Sequence, residues 1–283
     1  MLLRGDEVSE ALKKRIVAEV EGLKAAGIEP TLAIVRVGER KDDVSYERAA
    51  IKRAEDSGVA VRPIVLARDV STEALLARIE ELNADSSVHG VLMFRPLPAS
   101  IDEELVRTTL SPIKDVDGIT DLSLGSLFTD GSLGFAPCTA AACVEILDHF
   151  NIALEGRRAL VLGRSLVVGK PLAMMLLRRN ATVTIVHSRS NNLAELVREA
   201  DIVIAAAGQA KLVDASYLRQ GQTIIDVGIN IAKDGALVGD VDFAAAWQLV
   251  EALTPVPGGV GTVTTSVLIK QVVEAAARQA AAR

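Results

Sequence analysis

The chain has 283 residues, of which 49% are hydrophobic and only 3% aromatic, and it carries a net charge of −6. That length and apolar content suit two moderate cores. The acidic balance and scarcity of aromatic rings argue against a base-stacking, polyanion-binding surface, so nucleic acid is not an expected partner. Local phosphate binding by a few arginines and backbone amides remains compatible with the charge. No apolar run approaches the roughly 20 residues needed to span a bilayer. The opening MLLRGDEVSEALKKR turns charged at Arg4 and lacks the apolar core of a signal peptide, so a cytoplasmic protein without a membrane partner is expected. Cys138 and Cys143 have no companion pair and the three histidines are scattered, which suggests neither a disulfide framework nor a metal site.

Apolar residues recur at helical spacing over 8–23, and after Gly27 and Pro30 comes a β-rich run at 31–37. The alternation continues with a helix over 43–56, a strand at 61–66, a helix over 72–83 and a strand at 88–94, which makes the first hundred residues an α/β layer. Pro96, Pro98 and Pro112 break the pattern. The segment SPIKDVDGIT reads as too polar for core and is expected to be a loop near the end of the first domain. A helix over 139–150 precedes a strand at 158–163 whose Ala-Leu-Val-Leu run is expected to be buried on both faces. A helix over 169–179, a strand at 182–187, a helix over 193–200 and strands at 202–206 and 223–227 follow, the order of a doubly wound parallel sheet. The Ala-rich helix over 264–281 is amphipathic, and its periodicity alone fits packing against either half. The fold class is therefore two-domain α/β, an N-terminal α/β substrate domain plus a Rossmann-like doubly wound parallel sheet.

The turn from Gly163 through Arg164 and Ser165 to Gly169 joins a buried strand to a helix, where free backbone N–H groups and the helix dipole favour a phosphate. Its spacing departs from GxGxxG, so alone it is a weak signal. The next strand ends at His187-Ser188-Arg189, where a site for NAD usually carries an acid for the ribose 2′-hydroxyl. Arg164, Ser165, Ser188 and Arg189 suit a 2′-phosphate instead, which favours NADP. Ala206-Ala207-Gly208 and Gly228-Ile229-Asn230 end two further strands at the same edge with small residues that admit a dinucleotide close to the backbone.

The strings VGERKDDVSY, GVLMFRPLP, KDVDG, PCTAAA, VLGRSLVVGKP, ATVTIVHSRS, IDVGIN, VGDVDF and TPVPGGVGTVT occur in this order. With them the chain resembles, over essentially its whole length, the bifunctional methylenetetrahydrofolate dehydrogenase/cyclohydrolase family. The resemblance implies a folate-binding catalytic domain over 1–121, joined by the C-terminal helix 264–283, and an NADP-binding domain over 122–263. It further implies a cleft between the domains as the active site, a homodimer through the second domain, and a tetrahydrofolate one-carbon derivative as substrate. By position, Tyr46 corresponds to the tyrosine lining the pterin and hydride-transfer site, and Asp117 to the acid that hydrogen-bonds the pterin ring. Phe94 and Arg95 fall in the pterin cleft. Pro257, Gly258, Gly259, Val260 and Gly261 match a loop that closes on substrate, and Thr264 joins the residues expected at the cofactor.

The chain departs from the family's pattern at the chemistry. The motif places a lysine four residues after the tyrosine, on the same helical face; here the residue is Ala50. Lys52 is no substitute, because a two-residue shift turns a side chain about 200° around the helix. The glutamine that orients that lysine is replaced by Phe94. The PCTAAA string and Thr262 replace residues of the family that shape the backbone. Hydride transfer from the folate methylene carbon is driven by the adjacent nitrogen lone pair and asks the protein mainly for alignment. Hydrolysis of the resulting cation asks for a positioned proton-transfer group, whose loss typically costs about 10²–10⁴-fold. The expectation is a dehydrogenase whose cyclohydrolase activity is lost or strongly reduced. Arg95 also leaves open a dehydrogenase of another substrate, and a non-enzymatic relative that binds NADP or folate is the further alternative.

Overall fold

The computed structural model describes residues 1–282; the last position of the expected helix 264–283 lies outside them. The chain forms two compact units, one of Ala11–Cys138 with the chain from Thr265 onward, the other of Met1–Glu10 with Thr139–Thr264.

In the first of these, α1 (Gly5–Ala25) leads to β1 (Thr31–Val37), α2 (Lys41–Glu55), β2 (Ala60–Leu66), α3 (Thr72–Ala84) and β3 (Gly90–Met93). The strands pair in parallel in the order β2-β1-β3. β1, central, is buried at all seven positions, as a strand covered on both faces requires. Leu75 and Ile79 of α3 pack with Val35, Val91 and Met93 in the core of this unit.

Two short helices were not legible in the sequence. α4 (Glu103–Thr109) starts where the Asp102 carboxylate accepts the N–H groups of Glu104 and Leu105, and α5 (Asp121–Phe128) starts where the Thr120 hydroxyl accepts the N–H of Ser123. Between them SPIKDVDGIT is a loop, as expected, but it is core. Lys114, Asp115, Val116 and Thr120 are at most 3% exposed. Their polar groups are satisfied internally: the Lys114 ammonium donates to the carbonyls of Leu82 and Asp85, and Asp115 accepts from Ile119 N, Thr120 N and the Ser123 hydroxyl. Hydropathy alone misplaces such a segment, because it cannot count these partners. Residues 122–138 make their contacts in this same unit, where Arg278 donates to the carbonyls of Ser132 and Gly134 and covers the Phe135 ring.

The second unit begins with α6 (Cys138–His149), then β4 (Arg158–Leu162), α7 (Gly169–Arg178), β5 (Thr182–Val186), α8 (Leu193–Glu199), β6 (Ile202–Ala205) and β7 (Thr223–Asp226). A small hairpin of β8 (Asn230–Ile231) and β9 (Leu237–Val238), then α9 (Phe243–Trp247) and β10 (Ala252–Leu253), complete it before α10 (Val260–Ala281). The five-stranded sheet is parallel throughout, in the order β10-β7-β6-β4-β5. Ala159 to Leu162 of β4 are all buried, matching the expectation for that strand, whereas β5 is a largely exposed edge. Counted from β4, the strand order reverses between β4 and β6. In an open α/β sheet that reversal parts the loops at the carboxyl edge and leaves a crevice there. α10 starts earlier than the sequence suggested: Val260 and Gly261 form its first turn, directly after the positive φ of Gly258.

Candidate functional site

In the unit that holds β1 to β3, four of the residues singled out in the sequence fall into one cluster. Tyr46 projects from α2 and meets the Phe94 ring edge-on, with centroids 5.7 Å apart. Burial, reinforced by the nearby charges of Cys138 and Asp117, raises the Tyr46 phenol well above its usual value, so it stays neutral. Asp117 follows the buried Asp115 turn, and Gly118 next to it is held to glycine twice over, by a φ of +63° and by the backbone of 135–137, which a side chain there would strike. Loss of hydration pushes the Asp117 carboxyl up to about 6, partly offset by the Cys138 thiol and the Arg95 charge. Arg95 pairs with Glu103 of α4 at 3.5 Å, so its charge is shared between that carboxylate and Asp117.

Ala50 is fully buried one turn beyond Tyr46, and Lys52 is exposed. No amine accompanies Tyr46 on this face of α2. Two residues without a role in the sequence reading hold the backbone next to Asp117. The Cys138 thiol donates to the Val116 carbonyl at 3.2 Å, and Gln271 of α10 donates to Val116 O at 2.7 Å, to Ala136 O at 3.1 Å and to the Cys138 sulfur. The only signal for Gln271 was a polar residue on an apolar helix, which periodicity registers as noise.

In the other unit, the remaining candidates line the carboxyl edge of the five-stranded sheet. Gly163, with a φ of +130°, ends β4 so close to the Ala206 carbonyl that a side chain would collide with it, and a side chain at Gly169 would collide with the Gly163 carbonyl. The Ser165 hydroxyl accepts the N–H groups of Val168 and, at 3.5 Å, Gly169, closing the turn, while Arg164 stays exposed. At the end of β5, His187 N donates to the Ser190 hydroxyl and Arg189 N donates to His187 Nδ1; Ser188 and Arg189 are exposed, and no carboxylate pairs with Arg189 or Arg164 among the described residues. Ala207, Gly208, Gly228 and the largely exposed Ile229 follow β6 and β7. Pro257, Gly258, Gly259, Val260 and Gly261 line a cavity of about 260 Å³ together with Ile229. The Thr264 hydroxyl is spent inside α10, donating to the Val260 carbonyl.

The sequence reading did not assign roles to Asp226 and Asp240. Asp226, at the end of β7, accepts the N–H groups of Gly228, Asp240 and Val241, and burial pushes its carboxyl up to about 6. Asp240 is fully buried and accepts four donors from the loops after β6 and β7. Among the described residues, no group of three or more His, Cys, Asp or Glu side chains is arranged to hold a metal, and no helix is long and apolar enough to cross a membrane.

A reversed parallel strand order, a glycine-walled strand-to-helix turn at the reversal, and exposed cations without an acid at the next strand end define an α/β protein with a Rossmann-like dinucleotide-binding unit. Residues 3–117 match the model of the tetrahydrofolate dehydrogenase/cyclohydrolase catalytic domain, and residues 137–280 match that of its NAD(P)-binding domain. The chain is 48% identical over 278 residues to the bifunctional protein FolD 1 of Desulfitobacterium hafniense, covering 98% of this chain and 99% of that one. Its fold superimposes on the bifunctional FolD methylenetetrahydrofolate dehydrogenase/cyclohydrolase of Campylobacter jejuni with a TM-score of 0.96 at 36% identity, covering 98% and 99% of the two chains. The Trypanosoma brucei methylenetetrahydrofolate dehydrogenase-cyclohydrolase, solved with NADP and an inhibitor, gives 0.92 at 35% identity over 99% and 98%. The chain belongs to the tetrahydrofolate dehydrogenase/cyclohydrolase family.

Proposed function

We propose that this protein is an NADP-dependent 5,10-methylenetetrahydrofolate dehydrogenase in which methenyltetrahydrofolate cyclohydrolase activity is lost or strongly reduced. The observation that carries this reading is the pairing of Ala50 with Phe94 around Tyr46. Where the family's motif sets a lysine, α2 has a methyl group with no exposed surface, and where it sets the orienting glutamine there is an aromatic ring packed against the tyrosine.

For the dinucleotide, the residues present fit. The collisions that side chains would make at Gly163 and Gly169 mark a turn built for close approach, and the Ser165 hydroxyl, by accepting the Val168 N–H, fixes the shape of that turn at the helix start. Arg164, Ser188 and Arg189 would hold the 2′-phosphate, with Ala207, Gly208, Gly228 and Ile229 along the rest of the edge. His187 shapes the β5 turn, and Thr264 is assigned there through its place in the first turns of α10. The dinucleotide, when bound, supplies the hydride acceptor.

On the folate side, the edge-to-face pair of Tyr46 and Phe94 provides aromatic surface for the pterin, and Asp117 accepts from the ring's N–H groups in its ionised form. Arg95, held by Glu103, keeps that carboxyl from rising further. Pro257 to Gly261 complete the reading as a substrate-contacting segment, with Val260 and Gly261 acting from the helix start. The expected division of 1–121 with the final helix for folate and 122–263 for NADP is kept with one shift, 122–138 going to the folate side with which they make their contacts, and a homodimer through the second domain fits the open edge of β5, where Ile185 is exposed. A cytoplasmic location is part of this reading.

The test mixes purified protein with methylenetetrahydrofolate and NADP, then NAD, and follows reduced nicotinamide and the methenyl product separately. The expected outcome is NADP-dependent turnover with methenyl accumulation. Hydrolysis of methenyltetrahydrofolate well above the uncatalysed rate overturns the loss of cyclohydrolase. In the double variant Ala50→Lys, Phe94→Gln, cyclohydrolase activity is expected to rise by about 10²-fold or more over the parent.

A further inference from the structure

Asp240 is a buried carboxylate without a cation. Its surface exposure is 0%, and no salt bridge to it occurs among the described residues. Such a group is costly unless hydrogen bonds replace its hydration. Here they do, and their arrangement is specific. Oδ2 accepts from Ala207 N at 2.6 Å and Gly208 N at 2.9 Å, and Oδ1 accepts from Gln209 N at 2.9 Å and Asn230 Nδ2 at 2.9 Å. Three successive backbone N–H groups curled around one anion form a nest, and Gly208, with φ +66°, supplies the left-handed turn that curls them.

Asp240 is itself held by the sheet. Its N–H donates to Asp226 Oδ1 at 2.9 Å, Val241 N donates to Asp226 Oδ2 at 3.0 Å, and Asp226 N donates to the Thr254 hydroxyl at 2.7 Å. The two glycines of this network are required by contact: a side chain at Gly228 would strike Asp240, and one at Gly239 would strike the Asp226 carboxylate. A chain of hydrogen bonds therefore runs from the end of β7 through the 239–241 turn to the loop that ends β6.

That loop is one wall of the crevice opened by the strand reversal, facing Gly163 across the Ala206 carbonyl. We infer that Asp240 is a positioning residue for the dinucleotide, acting in two ways. It fixes the 206–209 and 228–230 loops before the cofactor arrives. It also fills with an internal carboxylate the anion nest at the end of β6, leaving the helix-start turn at 163–169 as the place for the pyrophosphate. This assignment rests on the reading of the unit as an NADP site.

Asp240→Asn is isosteric, but an amide offers one oxygen to four donors and points its own N–H groups at two of them. In the folded variant, KM for NADP and the dissociation constant for NADPH, read by nicotinamide fluorescence, are expected to rise about tenfold, with kcat within about threefold of the parent. A purely structural residue behaves differently: partial unfolding removes active protein, so apparent kcat falls while KM holds, and that result overturns the inference. An unchanged KM and NADPH affinity overturns it as well. If Asp240→Asn does not fold, Asn230→Ala removes a single donor, and a rise of about two- to fivefold in KM for NADP is expected, unchanged KM again overturning the assignment. Parent protein that binds no NADPH overturns the NADP reading itself, and is distinguished from the other failures because it appears before any substitution is made.

Discussion

The clusters at Tyr46 and at Gly163, proposed as the folate and dinucleotide sites, are built by opposite means. Around Tyr46 and Asp117 the surface is made of side chains, and their protonation is displaced by burial: the phenol upward, the Asp117 carboxyl up to about 6. At the carboxyl edge of the five-stranded sheet the surface is made of backbone, exposed by glycines and held from behind by Asp226 and Asp240. A backbone site is set by φ values and close approach, so its signature survives in sequence as glycines at strand ends. In a side-chain site one substitution can change the chemistry while the fold stays, which is the effect proposed for Ala50 and Phe94.

The comparison is most exposed at Asp117. Replacing it by Asn is expected to lower the dehydrogenase kcat/KM by about 10²-fold, the scale of a lost charged hydrogen bond in a desolvated site. The same residue sets a pH dependence. Its folded value of about 6 lies above the ordinary aspartate range, so the carboxyl is ionised above about pH 6 and protonated below it. The kcat/KM profile at saturating NADP is therefore expected to decline as pH falls through 6, and the decline should vanish in Asp117→Asn. A profile flat down to pH 5 in the parent would show that the ionised carboxylate is not required.

A smaller effect is expected on the backbone side, where any one side chain contributes little. Arg189→Ala should raise KM for NADP about tenfold and leave KM for NAD nearly unchanged, narrowing the preference between the two. Equal losses for both cofactors would place Arg189 away from the 2′-phosphate. The smallest effect is structural. Arg278→Ala removes two hydrogen bonds to 132–134 and the cover over Phe135, and about 1 kcal/mol of stability is expected to go, read by denaturant unfolding, with KM for both ligands unchanged.

The sequence by itself determined the alternation of helices and strands and the parallel second sheet, because period-3.6 and fully apolar runs are local signals. β1 falls at 31–37, as its apolar run indicates. The family was also legible, being a matter of residue identity at fixed spacing. The tertiary structure decided what depends on partners distant in the chain. It made core of the polar 111–120 loop, since Lys114 and Asp115 find their hydrogen bonds there. It gathered 122–138 and the final helix with β1 to β3 through Gln271 and Arg278. It also turned Asp240 from one acid of a charged string into the anchor of two loops more than 20 residues apart. Burial and hydrogen-bond geometry arise only when such segments meet, so neither is written in local composition.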